Sequence, residues 1–168
     1  PKETRRSEHW MRIAANEADE YTDSRIREGF GWRAKESIEW RSPILSDSYA
    51  EYYDEEFLDR LGLSNLKMPL EKFWPKSGPR WDGLARTSSG KILLVEAKAY
   101  IEEGVDFRSK AGLASMKKIR RALRAAKQAF KANDDAPWEA PFYQYANRLA
   151  PLYYGGEKNS VDACRVFL

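Results

Sequence analysis

Two carboxylates and an amine lie close together in one stretch of the chain, residues 79–100, with the sequence PRWDGLARTSSGKILLVEAKAY. Asp82 belongs to a short strand-like run, and Glu96 and Lys98 follow the apolar run ILLV at residues 92–95. Side chains two positions apart on a strand point to the same face, so Glu96 and Lys98 project toward one spot. Charged groups at the edge of so apolar a strand are costly to bury unless they are paired or bind a metal ion.

The connection between the two runs, Thr87-Ser88-Ser89-Gly90, is short enough for an antiparallel hairpin, which would bring Asp82 beside Glu96. Two carboxylates and a backbone carbonyl form the hard-oxygen site that Mg²⁺ (or Mn²⁺) prefers. Lys98 could then stabilise an attacking hydroxide or the charge that develops in a transition state. The alternative interpretation is a Glu96–Lys98 pair at a strand edge, with the two groups bonded to each other or facing water.

Composition narrows the kind of site. The 168 residues contain one histidine, His9, and one cysteine, Cys164, which excludes paired-histidine and multi-cysteine metal motifs. Any metal would therefore need oxygen ligands. No apolar run approaches the ~20 residues of a membrane span, so we expect no membrane association. We also expect a cytoplasmic location, because one cysteine cannot form an intramolecular disulfide.

The second feature is a basic stretch, residues 113–132, that contains no acidic residue. Its apolar residues recur at helical spacing, so one face can pack inward while the basic face remains outside. Such a face attracts a phosphate backbone without reading sequence, although a charge run is usually only a solvated surface. The candidate nucleic-acid-binding residues are Lys117, Lys118, Arg120, Arg121, Arg124 and Lys127, with Arg108 and Lys110 extending the patch.

Several aromatic residues could stack on bases, although most are expected in the core. Trp81, which precedes Asp82, is the first candidate for substrate contact. The others are Trp74, Trp138, Phe142, Tyr143 and Tyr145.

The surrounding pattern predicts a mixed α/β domain with a small sheet. Ser48 and Glu51 match a capping box at the start of the second expected helix. Helices are expected at 7–22, 47–61, 113–132 and 138–154, one helical turn at 70–74, and extended segments at 32–40, 80–86, 91–100 and 161–168.

With Trp81-Asp82-Gly83 before the apolar strand and Glu96-Ala97-Lys98 after it, the chain resembles the PD-(D/E)XK nuclease superfamily. Trp81 stands where the name of that family has proline. The resemblance implies a restriction-endonuclease-like core at 47–168, with a small mixed central sheet flanked by helices and an N-terminal helical extension at 1–46.

The resemblance also implies roles for individual residues. Asp82 and Glu96 would bind Mg²⁺ or Mn²⁺ together with the Ala97 carbonyl, and Lys98 would be the catalytic lysine. Glu51 would be a further catalytic acid, unless it is only the capping-box residue, and Asp54 is the second choice for that role. Gln144 is a weaker candidate from the later helix.

The implied activity is metal-dependent hydrolysis of DNA phosphodiester bonds, and the resemblance allows a homodimer. Three alternatives remain open at this point: a non-catalytic nucleic-acid-binding module on the same fold, a protein-interaction domain and, more weakly, a different hydrolase built on these carboxylates. The residues alone do not distinguish DNA from RNA, or internal cleavage from cleavage at an end.

Overall fold

The protein is described by a computed structural model that covers residues 6–17, 20–98 and 111–167. These residues form a mixed α/β structure that divides into two compact units. Unit 1 consists of the described residues within Pro1–Ser64, Arg80–Ala99 and Asp162–Leu168, and unit 2 of those within Asn65–Pro79 and Tyr100–Val161.

Six α-helices and four strands occur within the described residues. The helices are α1 (Arg6–Asn16), α2 (Glu20–Gly29), α3 (Asp54–Arg60), α4 (Leu70–Phe73), α5 (Leu113–Ala129) and α6 (Tyr143–Tyr153). The strands are β1 (Ile38–Ser42), β2 (Gly83–Thr87), β3 (Ile92–Glu96) and β4 (Ala163–Phe167). None of the helices in these ranges is long and apolar enough to cross a bilayer.

The four strands form one mixed sheet in the order β1-β2-β3-β4. β1, β2 and β3 are antiparallel neighbours, and β4 runs parallel to β3. The predicted hairpin is confirmed, because β2 and β3 pair around a turn in which Gly90 N–H donates to the Thr87 carbonyl at 2.9 Å. Gly90 has φ +87°, a conformation that glycine adopts without steric cost.

One face of the sheet packs against the first two helices. Met11 of α1 and Ile26 of α2 join Leu93, Val95 and other buried residues of the sheet in one apolar cluster. Gly83 permits this packing, since a Cβ at that position would meet Met11 Cε at 2.5 Å. The space at Gly83 is therefore occupied by a core side chain rather than left for a ligand.

The opposite face of the sheet carries Leu84, Ile92 and Leu94, all at most 3% exposed, and ends at Glu96. From this face the Arg86 guanidinium donates to the Leu61 carbonyl at 3.2 Å, which links β2 to the end of α3. Burying an aliphatic side chain of this size stabilises a fold by about 1.5–3 kcal/mol. The apolar run before Glu96 therefore holds that carboxylate in a rigid part of unit 1.

Unit 2 is held together around α5, α6 and the segment containing α4. Tyr154 Oη donates to the Met68 carbonyl at 2.6 Å, and Met68 N–H donates to Asn159 Oδ1 at 2.8 Å. Pro151 lies inside α6, and a π-helical turn, Tyr154–Lys158, follows that helix. The expected turn at 70–74 is present as α4.

The helix predicted at 7–22 is wrong in length. α1 ends at Asn16, whose side-chain amide donates to the Pro43 carbonyl and accepts from Leu45 N–H, both at 2.8 Å. Such side-chain bonds to distant backbone compete with continuation of the helix. Two aromatic residues of this stretch are exposed, Trp10 by 65% and Tyr21 by 73%.

The helix predicted at 47–61 is also wrong at its start. A 3₁₀ turn covers Leu45–Asp47, and α3 begins only at Asp54. Ser48 and Tyr49 both have φ +59°, in the left-handed region that interrupts a right-handed helix. The capping box of Ser48 and Glu51 therefore does not form, and Glu51 lies in the extended segment before α3.

The predicted boundary at residue 46 crosses unit 1. β1, at Ile38–Ser42, is an integral strand of the sheet, because Trp40 pairs with Ala85 of β2. The stretch 1–46 thus contributes a strand as well as helices to the same unit as Asp82 and Glu96.

Candidate active site at the open end of the β2–β3 hairpin

The hairpin register brings the two predicted metal ligands to the same end of the sheet. Gly83 pairs with Val95, so Asp82, just before β2, and Glu96, at the end of β3, are the next residues beyond this pair. Asp82 Oδ2 accepts a hydrogen bond from Ala97 N–H at 2.8 Å. This hydrogen bond lies just beyond the backbone pairing of β2 and β3, and it fixes the carboxylate of Asp82 beside β3.

Glu96 and Lys98 face the same side, as the alternation of a strand requires. Lys98 Nζ lies 2.5 Å from Glu96 Oε1, and the side chains are 28% and 4% exposed. Ala97, between them, belongs to the apolar cluster on the opposite face. The burial of Ala97 thus sets the orientation of both charged neighbours.

Burial and neighbouring carboxylates, in that order, dominate the electrostatics at Asp82. The pKa of Asp82 is raised from 3.8 to about 6, chiefly by burial and next by the Glu96 carboxylate. The Ala97 N–H and the Lys98 ammonium act in the opposite direction, and Glu51 adds a smaller upward effect on the same pKa. Asp82 thus experiences the charges of two other carboxylates, Glu96 and Glu51, and of one ammonium group, Lys98, and the net effect favours a proton or a cation at Asp82.

Glu51 approaches this group from a loop, not from a helix. Trp81 N–H donates to the Tyr52 carbonyl at 3.2 Å, which holds the segment of Glu51 next to that of Asp82. Three residues that flank Glu51 have positive φ, namely Ser48 at 59°, Tyr49 at 59° and Asp54 at 52°. Such conformations are costly for residues other than glycine, so the surrounding contacts must hold this loop in place.

The donor set suits a cation that takes only part of its coordination shell from protein. Within the described part of the chain, no group of three or more His, Cys, Asp or Glu side chains is arranged to hold a metal ion. Glu51 influences Asp82 electrostatically without completing such a group. Asp82 and Glu96 therefore form a pair of candidate carboxylate ligands. Ala97 lies between Glu96 and Lys98 in the sequence.

Four of the six predicted nucleic-acid-binding side chains on α5 contact other parts of unit 2. Lys118 donates to the Glu71 carbonyl at 2.7 Å and Arg121 to the Lys72 carbonyl at 3.3 Å. Arg120 forms an ion pair with Glu139 at 2.9 Å. Lys127 donates to carbonyls in the loop that follows α5.

The remaining two, Lys117 and Arg124, are exposed and make no hydrogen bond or ion pair with the residues described. Sequence alone did not show that much of this charge serves to hold backbone carbonyls. Arg108 and Lys110 lie outside the described residues.

The aromatic candidates divide between core and surface. Trp81 is fully buried and packs edge-on against Phe57 at 6.1 Å, so the expectation of substrate contact there is wrong. Trp138 is only half-buried and lines a cavity in unit 2.

Gln144, on α6, has a buried Oε1 without a hydrogen-bond partner among the described residues.

Comparison of the chain with models of known protein families, with curated protein sequences and with solved structures found no significant match. The geometry of Asp82, Glu96, Lys98 and Glu51 is therefore the basis for a functional assignment.

Proposed function

We propose that this protein is a metal-dependent nuclease that hydrolyses DNA phosphodiester bonds on a restriction-endonuclease-like core. The observation that supports the proposal most directly is the convergence of Asp82, Glu96 and Lys98 at one end of the hairpin, with the pKa of Asp82 raised to about 6. Buried carboxylates that repel one another are characteristic of sites built for a cation or a proton.

The residues fit a divalent cation of the magnesium type. Mg²⁺ is usually held by one or two carboxylates together with substrate phosphate and water, which matches a pair rather than a cage of acids. Asp82 and Glu96 would supply these carboxylates, with the Ala97 carbonyl as a third donor. When bound, such an ion polarises a phosphoryl oxygen and acidifies a water molecule.

The chain's own residues have separable tasks in this proposal. The hydrogen bond from Ala97 N–H orients Asp82, and the apolar strand β3 keeps Glu96 in place. The Lys98 ammonium, held by Glu96 yet partly exposed, can stabilise the nucleophile or the charge on the phosphoryl group. The loop that carries Glu51 adds a further negative group close to Asp82.

The exposed positive charge of α5 supports contact with a phosphate backbone. Lys117 and Arg124 are the side chains most available for it, because their four basic neighbours contact the protein itself. Contacts of this kind provide affinity without sequence readout and weaken as salt concentration rises. A homodimer that cuts both strands remains part of the proposal.

A non-catalytic nucleic-acid-binding module on the same fold is the second candidate. The 2.5 Å contact between Lys98 and Glu96 favours it, since a lysine that serves only to neutralise a buried glutamate would make the same contact. The two functions differ in their need for metal. Binding without catalysis requires none, whereas hydrolysis at this site requires Mg²⁺ or Mn²⁺.

The test is incubation of the purified protein with plasmid and linear DNA, with Mg²⁺, with Mn²⁺ and with EDTA. We expect cation-dependent cleavage that Lys98→Ala and Asp82→Asn abolish and that the exposed control Lys35→Ala retains. Circular dichroism of each variant separates loss of chemistry from loss of folding. Cleavage by folded Lys98→Ala at the wild-type rate would reject the assignment.

A further inference from the structure

A cavity of about 750 Å³ lies within unit 2, between α5 and the loop 134–140. Its apolar lining includes Met116 and Leu123 of α5 and Pro137 and Trp138 of the loop, with Arg124 among its polar residues. We name these five residues the Trp138 pocket. Its volume falls within the range of about 300–1,000 Å³ that is usual for small-ligand sites.

The protein holds the loop side of this pocket with its own polar contacts. Lys127 Nζ donates to the carbonyls of Asp134 and Ala136, the latter at 2.9 Å. Arg120 Nε binds Glu139 at 2.9 Å. Because Lys127 and Arg120 already bind the loop, the pocket is largely formed before a ligand binds, which lowers the entropic cost of binding.

Arg124 lies on α5 between these two cations, four residues after Arg120 and three before Lys127, and so on the same side of the helix. It is exposed, and it makes no hydrogen bond or ion pair with the described residues. The pocket therefore combines an indole ring and aliphatic side chains with the Arg124 guanidinium, and its lining also contains the carboxylates of Asp134 and of Glu139, the latter paired with Arg120. A ligand that joins a flat, weakly polar ring to a single anionic group complements these side chains.

We propose that the Trp138 pocket receives one unstacked nucleotide from a single-stranded segment of the DNA substrate. The base contacts Trp138 and its phosphate binds Arg124. Bases stacked in a duplex cannot enter such a pocket, whereas single-stranded DNA is commonly bound by aromatic rings beside positive charge. The inference rests on the proposed action on DNA and adds a preference for substrates with a single-stranded portion.

The test is fluorescence anisotropy with the full chain in EDTA, so that binding is measured without cleavage. The probes are a short labelled oligothymidine, an abasic oligomer of equal length and a duplex. Trp138→Leu, which keeps apolar volume but removes the ring, should weaken oligothymidine binding by about 5- to 150-fold and leave abasic binding unchanged. Trp138→Phe should retain most of the affinity.

Arg124→Ala should weaken binding of both single-stranded probes and reduce the salt slope of log K by about 0.7. Lys35→Ala, an exposed charge change in unit 1, should alter neither. Equal oligothymidine affinity of wild type and Trp138→Leu would overturn the proposal, as would an equal loss on the duplex or the abasic probe. Specific binding of an acidic peptide that depends on Trp138 and excludes the oligothymidine would also overturn it, in favour of a protein partner.

The two proposals fail separately. Oligothymidine binding that depends on Trp138, in a protein that cleaves no DNA, would support the pocket and reject the nuclease. Cation-dependent cleavage by a protein whose oligothymidine binding does not depend on Trp138 would support the nuclease and reject the pocket. If no Trp138 variant folds, the wild-type protein still decides the matter, because equal affinity for the oligothymidine and the abasic oligomer would overturn the pocket proposal.

Discussion

Asp82 Oδ2 and the backbone N–H of Ala97 are joined by a hydrogen bond of 2.8 Å that closes the open end of the β2–β3 hairpin. The same carboxylate is a proposed metal ligand, and Ala97 separates Glu96 from Lys98. Folding and the proposed chemistry therefore depend on one contact. A variant that removes charge but keeps the acceptor, Asp82→Asn, separates them.

The first prediction concerns stability against pH. The pKa of Asp82 is 3.8 ordinarily and about 6 in the folded protein, so folding disfavours the ionised form. The folded state therefore loses stability as pH rises from about 4 to about 6, by roughly 3 kcal/mol in all. Asp82→Asn should lack this loss, so its stability relative to wild type should increase by about that amount between pH 4 and pH 8.

Urea denaturation of both proteins across this range measures the difference. Asp59→Asn, at an exposed acid of α3, is the matched control and should follow wild type at each pH. Parallel curves for wild type and Asp82→Asn would show that Asp82 ionises freely, contrary to the burial described.

The second prediction concerns divalent cations. A proton and a cation compete for Asp82, so binding should strengthen as pH rises through about 6 and the carboxyl group ionises. A cation at about 100 times its Kd should stabilise the folded protein by ~2.7 kcal/mol. Thermal melts with Mn²⁺ should show the shift at pH 8, a much smaller one at pH 5, and none for Asp82→Asn. An equal shift in that variant would place the cation elsewhere.

Local sequence was enough to predict the hairpin and α5, because a short turn and a 3.6-residue repeat are encoded by neighbouring residues. Counting across the turn also placed Asp82 beside Glu96. The end of α1 could not be predicted in this way. It depends on bonds from Asn16 to Pro43 and Leu45, which are 27 and 29 residues away.

The same limit applies to the site. The basic spacing of α5 was visible in the sequence, but the carbonyls that occupy Lys118 and Arg121 belong to residues 47 and 49 positions earlier. The family resemblance predicted Glu51 as a further catalytic acid on a helix, but that helix does not form at Glu51. The loop that replaces it depends on a backbone bond between Trp81 and Tyr52.

The third prediction tests the packing behind the hairpin. Gly83→Ala would bring a Cβ to 2.5 Å from Met11 Cε and 3.1 Å from the ring of Trp40. Overpacking of this kind costs about 1–3 kcal/mol. The cost should fall in a Met11→Ala background, which denaturant titration of the double-mutant cycle measures. Gly29→Ala, with nothing within 4 Å, is the control and should be neutral or slightly stabilising. Additive costs for Gly83 and Met11 would contradict the contact.

The last prediction distinguishes a structural from a catalytic Lys98. Removing its ammonium leaves Glu96, 4% exposed, as a buried charge without its neighbour at 2.5 Å, so Lys98→Ala should destabilise the fold by about 3 kcal/mol. Adding Glu96→Gln removes that charge and should recover much of the loss. Lys98→Arg keeps the positive charge but replaces a compact ammonium by a planar fork, so folding should persist.

Cleavage by these variants is the decisive measurement. If Lys98 acts on the reacting phosphate, Lys98→Arg should reduce cleavage at least 100-fold while retaining near wild-type stability, since arginine cannot reproduce the position of the ammonium nitrogen. If Lys98 only neutralises Glu96, Lys98→Arg should cleave as wild type does and the catalytic assignment fails. Stability and rate thus change together for a structural lysine and separately for a catalytic one, because only the catalytic role depends on where the charge is placed.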